Sequence, residues 1–278
     1  MRRAISAPAS GVDLRDAAGT LHMPADDSAR IVSLVPSITE LICDLGLSAK
    51  LVGRTGFCVH PRETLRSIPK VGGTKDVDLD KVRALAPTHV VLNIDENEKP
   101  AAEALARFVP HLIVTHPLAP LDNLALYCLI GGVFGREVEA EALCARLQRA
   151  CAALESAART WQRQRVLYLI WKKPWMTVAR DTYISRTLAL AAWDTLPAGA
   201  TARYPHVQLD HPSLEQAELV LLPSEPYQFR ERDLAELRSL PPMREKTVML
   251  IDGEMTSWYG SRAIAGMDYL RRLRAKLA

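Results

Sequence analysis

The feature that most constrains this 278-residue chain is a pattern stated twice. Residues 30–47, RIVSLVPSITELICDLGL, and residues 165–184, RVLYLIWKKPWMTVARDTYI, each begin with Arg, pass through a short strand-forming run, break at a Pro-containing loop and continue as a helical pattern. Two more matches follow in the same order. HVVLNIDEN (89–97) resembles LVLLPSEPY (219–227), and HLIVTHP (111–117) resembles TVMLIDGE (247–254). Three apolar runs per half, each too short for a helix, predict two similar α/β lobes with buried strands. In such folds ligands bind where loops leave the carboxyl ends of the strands, so a ligand cleft between the lobes is expected.

Between the halves the strand signal stops. LDNLALYCLIGGVF is an apolar helix expected to end at Gly131, Gly132 and Gly135; a second helix of about 24 residues follows. Its Leu143, Leu147, Cys151 and Leu154 share one face. At 1.5 Å rise it predicts a stiff spine of roughly 36 Å. The expected organisation is an N-terminal tail and hairpin (1–29, with residues 1–10 disordered), an N-terminal α/β lobe (30–120), a helical linker with the spine (121–161) and a C-terminal α/β lobe (162–278). A first-lobe strand is also expected over 50–54.

Bulk properties exclude more than they assign. A net charge of +3 without a dense Lys/Arg run argues against nucleic acid. The five cysteines are odd in number and irregularly spaced, which suits reduced, packed side chains rather than a disulfide framework. No apolar run approaches the ~20 residues that span a bilayer, so no membrane insertion is expected. The N-terminal stretch has a basic start but no apolar export segment, giving a cytoplasmic expectation, with a periplasmic location as the alternative if the true start lies elsewhere. GxSxG, Walker A, GxGxxG after a strand, HExxH and DxD are all missing, so no catalytic residue is assigned and no enzyme is expected.

The candidate binding residues sit where strands end. Pro36 and Ser37 open a helix, with Ser37 read as its N-cap and Glu40 completing a capping box. In GFCVHP, Cys58 and His60 are two residues apart and point the same way if the loop is extended. A thiolate and an imidazole suit a soft metal or an axial position on a metal chelate. The alternative makes His60 a hydrogen-bonding wall and Cys58 packing. Phe57, Asn93 and Glu96 complete the first-lobe set; His116 is read as a surface residue. In the second lobe, Trp171, Trp175, Tyr227, Trp258 and Tyr259 offer aromatic faces for a flat ligand. At least one indole is expected to face it. Glu225 offers a polar rim, and Arg180 and Arg262 a clamp for acidic groups unless they pair with Asp181 or Asp252.

These strings, with LVGRTGFCVHP, IPKVGGTKDVDLDKVRALAPTHVV and the long central helix, resemble the helical-backbone substrate-binding proteins of ABC importers. The resemblance is strongest to the cobalamin-binding branch. It implies a small-molecule ligand in the cleft, a cobalamin or another metal chelate as cargo, no required cofactor and a monomer. It further implies docking on an ABC permease through an acidic side chain on each lobe, here Asp80 and Asp210. His60 stands where cobalamin receptors often have Tyr, and Asn93 where they can have an aromatic residue. Three readings therefore stand: a corrinoid receptor with haem or a ferric siderophore behind it, a cytoplasmic corrinoid- or metal-handling protein or enzyme on the same scaffold, and a bare metal-ion receptor using His60, Glu96, His116 and Glu225.

Overall fold

A computed structural model describes residues 13–277; the tail expected over residues 1–10 lies outside the described residues, as does the start of the hairpin at Val12. The chain divides into two compact units. Unit 1 takes in the chain up to His116 together with Ala125–Leu143, and unit 2 takes Pro117–Leu124 and everything from Cys144 onward.

Unit 1 is built as β1 (Ile31–Ser33), α1 (Pro36–Asp44), β2 (Leu51–Arg54), α2 (Arg62–Leu65), α3 (Leu79–Ala84), β3 (His89–Asn93), α4 (Lys99–Leu105) and β4 (His111–Thr115). The four strands are all parallel, in the order β2-β1-β3-β4. Every residue of β3 is buried, as expected for a parallel strand covered on both faces. Val32, Val90 and Leu92 of the sheet pack with Val82 and Leu105 from the helices. Strand order reverses between β1 and β3. In open α/β sheets such a reversal point is where ligands commonly bind.

Two helices follow, α5 (Asn123–Val133) and α6 (Glu137–Ala158), and each passes from one unit into the other. Gly131 and Gly132 do not end α5 as the sequence suggested; they lie inside it. A Cβ on Gly131 would sit 2.6 Å from Ala140 Cβ, and one on Gly132 would sit 2.5 Å from Leu14, so both positions serve close packing. The hairpin near the N-terminus is reduced to a single antiparallel bridge, Arg15 to Leu21.

Unit 2 repeats the plan with β5 (Gln164–Tyr168), α7 (Tyr183–Leu190), β6 (Trp193–Thr195), β7 (Leu219–Pro223), α8 (Glu231–Ser239), β8 (Thr247–Ile251), α9 (Glu254–Ser257) and α10 (Arg262–Ala275). Its sheet is again parallel, ordered β6-β5-β7-β8. The sequence repeat is thus a repeat of topology. The first lobe's four strands are those expected; the second half gains a fourth, β6, a three-residue edge strand with Asp194 at its centre, too short and polar to show a period. The fold is α/β, two lobes each carrying a four-stranded parallel sheet.

Candidate functional site

At the carboxyl edge of unit 1, α1 begins one residue earlier than expected. Val35 is the N-cap and makes no side-chain cap bond, with Pro36 in the first turn behind it. Pro has no N–H of its own to satisfy there, and its fixed φ is already helical, so it starts the helix readily. Ser37 is therefore not the cap: its hydroxyl is buried and finds no hydrogen-bond partner among the described residues.

The next loop does not run extended. It turns at Gly56-Phe57, and Cys58 is fully buried while His60 is only half-buried. The hydroxyls of Thr39 and Thr55 lie 3.0 and 3.1 Å from Cys58 Sγ. Burial pushes the thiol pKa up, so Cys58 is a packed, protonated group. No group of three or more His, Cys, Asp or Glu side chains converges on a metal position among the described residues. Phe57 instead stands 63% exposed at the tip of this loop.

Asn93, the last residue of β3, is buried and structural. Its side-chain oxygen accepts from the Asp95 N–H at 2.8 Å, and its amide donates to Thr115 Oγ1 at 3.3 Å. Asn97 closes the loop by donating to Leu34 and Thr74 carbonyls. These bonds leave Ile94 outward, half exposed, with Glu96 beside it only partly covered. Gly72 supports the neighbouring loop at φ +97, where a Cβ would strike the Asp76 carbonyl at 2.4 Å.

Unit 2 separates its aromatic residues into two classes. Trp171 is 42% exposed and meets Tyr227 edge-to-face at 5.6 Å; Tyr227 packs on Phe229 at 4.7 Å, and Phe229 lies parallel to Trp175 at 6.3 Å. Lys172 fastens this loop to α8, its Nζ donating to Asp233 at 2.8 Å and Glu236 at 2.6 Å. By contrast Trp258 and Tyr259 are buried, which corrects their assignment to an open aromatic face. Tyr259 packs on Tyr183, whose hydroxyl accepts from Asn123 at 3.1 Å.

The two arginines do not form a clamp. Arg180 reaches toward the Thr195 carbonyl at the edge strand β6. Arg262 pairs with Glu254 at 3.0 Å and lies 4.9 Å over the Trp258 ring, so its partner is neither Asp181 nor Asp252.

Glu225 is the most perturbed acid of unit 2. Burial raises its pKa to about 7, helped by the nearby Glu254 and Asp252 carboxylates and opposed by hydrogen bonds from Ser257 and Trp258. The Ser257 hydroxyl donates to Glu225 Oε1 at 3.0 Å. Gly253 permits this approach: a Cβ there would sit 2.7 Å from the Glu225 nitrogen. Asp80 lies in the first turn of α3 with its side chain 92% exposed beside Arg83, and Asp210 is exposed on unit 2.

Sequence reasoning missed the Lys172 anchor and a group of cations, Arg54, Arg62, Arg66 and Lys70. The second group had a signal, since residues 62, 66 and 70 are four apart.

Residues 31–224, which carry the whole first sheet and β5, β6 and β7 of the second, match the family described as periplasmic binding protein. The chain belongs to that family. Its members are binding proteins that partner ABC permeases, not enzymes. A vitamin B12-binding protein of Vibrio parahaemolyticus is 25% identical over 203 residues, 72% of this chain and 73% of the relative. One from Yersinia pestis (strain Pestoides F) is 21% identical over 208 residues, 73% and 72%.

Among solved structures, the periplasmic vitamin B12 binding protein of Vibrio cholerae superposes with TM-score 0.75 at 17% identity, covering 89% of this chain and 98% of that one. A periplasmic heme-binding protein from Roseiflexus sp. RS-1 gives 0.73 at 21%, covering 90% and 98%. These likenesses establish the shared fold. The cytoplasmic expectation is overturned by this membership in a periplasmic family, which supports an extracytoplasmic location. That expectation had rested on a missing apolar segment, and such an absence does not locate a protein.

Proposed function

We propose that this chain is the ABC-importer receptor for a corrinoid, carried as cargo by a monomer that needs no cofactor of its own. The observation that carries the reading is the supported indole of Trp171. It stays 42% exposed while Tyr227, Phe229 and Trp175 hold the loop and the Lys172 ion pairs anchor it. An exposed aromatic face backed by rigid neighbours suits a flat ligand with polar edges. Phe57 and Ile94 offer unit 1 apolar tips of the same kind. The vitamin B12-binding relatives at 21–25% identity support the same ligand class.

Haem is the second reading, favoured by half-buried His60, whose imidazole suits an axial position, and by the likeness to the Roseiflexus heme-binding protein. Asp80 and Asp210, both exposed, are the proposed contacts with the permease.

Titration with cyanocobalamin, cobinamide and haemin, read by tryptophan quenching and calorimetry, tests the proposal. Saturable corrinoid binding at micromolar or tighter affinity, weakened at least about tenfold in Trp171→Ala, is the expected result. Haemin binding without corrinoid binding would transfer the assignment to haem. In that case His60→Ala should change the visible spectrum of the bound chelate.

A further inference from the structure

Unit 1 contains a cavity of about 810 Å³ whose lining is predominantly cationic. Arg54, Arg62, Arg66 and Lys70 line it with His60, against a single carboxylate, Glu63. Arg62, Arg66 and Lys70 are exposed and have no ion-pair partner among the described residues. Arg54 at the end of β2 is buried, and it too faces no carboxylate within ion-pair distance.

The hydrogen bonds of Arg54 show what it is set up to do. Its Nε and Nη2 donate to the Leu65 carbonyl at 3.2 and 3.0 Å, and Nη1 donates to the carbonyls of Thr55 and Cys58 at 3.1 and 3.0 Å. Four of its five N–H groups are spent on backbone and one remains. These bonds tie both ends of the 55–65 loop to one fixed guanidinium. The carbonyl dipoles satisfy the donors but do not cancel the charge, and a buried cation without a counter-charge is costly. Concave walls of one sign also focus the field outward, toward an approaching anion.

We propose that this cavity is an anion site, taking a phosphate- or carboxylate-bearing group of two or more negative charges. Arg62, Arg66 and Lys70 supply mobile donors at its mouth, and Arg54 supplies a fixed charge in its wall. The same chemistry has two sources, an acidic arm of the transported ligand or a free inorganic anion. Its lining comes from unit 1 alone, and corrinoid binding is read separately from it.

The test is calorimetric titration of the full chain with inorganic pyrophosphate. The wild type should bind saturably, more weakly as salt rises. Arg66→Gln combined with Lys70→Gln should weaken binding at least about tenfold, with the apo thermal midpoint unchanged. Arg146→Gln with Arg149→Gln, an equal charge change on α6 outside the cavity, should leave it intact. Competition between pyrophosphate and haemin, whose two propionates carry that charge, would identify the ligand's own acidic group as the source. Simultaneous binding would identify a free anion; both results support the site. No saturable pyrophosphate binding, or equal weakening by the two double variants, would overturn it.

Discussion

At Trp258 the indole is 8% exposed, lies under the Arg262 guanidinium and donates a hydrogen bond to Glu225. Removing it leaves a cavity and takes one of two hydrogen bonds from the Glu225 carboxyl, so Trp258→Ala should cost about 3–5 kcal/mol in urea unfolding. Trp171→Ala should shift the same midpoint by under about 1 kcal/mol, because its indole is open on one face. Nothing in the sequence separates these two residues. Both follow strands in loops, and burial is decided by residues distant in the chain. The same holds for Cys58, whose pairing with His60 looked plausible from spacing and failed because the loop turns and Thr39 claims the thiol.

Glu225 adds a pH signature to this scale. Its pKa is raised from 4.5 to about 7 when folded. Between those values the unfolded chain releases a proton that the folded chain keeps, so stability falls as pH rises from 4.5 to 7 and is level above it. The loss is on the order of 3 kcal/mol. Glu225→Gln should flatten that slope and stabilise the protein at pH 8; urea midpoints at pH 5, 6, 7 and 8 would reveal it. A slope unchanged in the variant would assign the dependence to other groups.

Among the elements, the strands were the most legible. Continuous apolar runs such as His89–Asn93 and Leu219–Pro223 are buried along their whole length, as parallel strands covered on both sides must be. Boundaries and caps were less so: Pro36 starts its helix without help from Ser37, and Gly131 continues a helix it was expected to end. The junction of the Trp171 loop with α8 was illegible because Lys172 and Asp233 lie 61 residues apart. Both side chains are nearly inaccessible, at 9% and 2% exposure. Lys172→Met should therefore cost about 1–3 kcal/mol, because Asp233 keeps the Arg230 N–H but loses its closest cation, and it should loosen the aromatic loop. Adding Asp233→Leu should restore most of that stability. If the double variant is no better than the single, the pair does not act as a unit.

For the whole molecule, the sequence repeat carried the fold because two copies of one topology, β2-β1-β3-β4 and β6-β5-β7-β8, impose the same order of apolar runs on each half. The proposed partner docking rests on far fewer residues. Asp80 projects 92% exposed with only Arg83 near it, and Asp210 is exposed on the other unit. A surface ion pair such as Asp80 with Arg83 contributes little to folding, so stability does not explain that acid. If each acid meets a permease cation, the two contacts reinforce each other because one chain carries both. Asp80→Ala or Asp210→Ala should then weaken the stimulation of permease ATPase activity in proteoliposomes at least about tenfold. Ligand affinity and the unfolding midpoint should stay at wild-type values. A variant that stimulates ATP hydrolysis normally would remove that acid from the docking surface, while a loss of ligand binding would show that it serves the receptor itself.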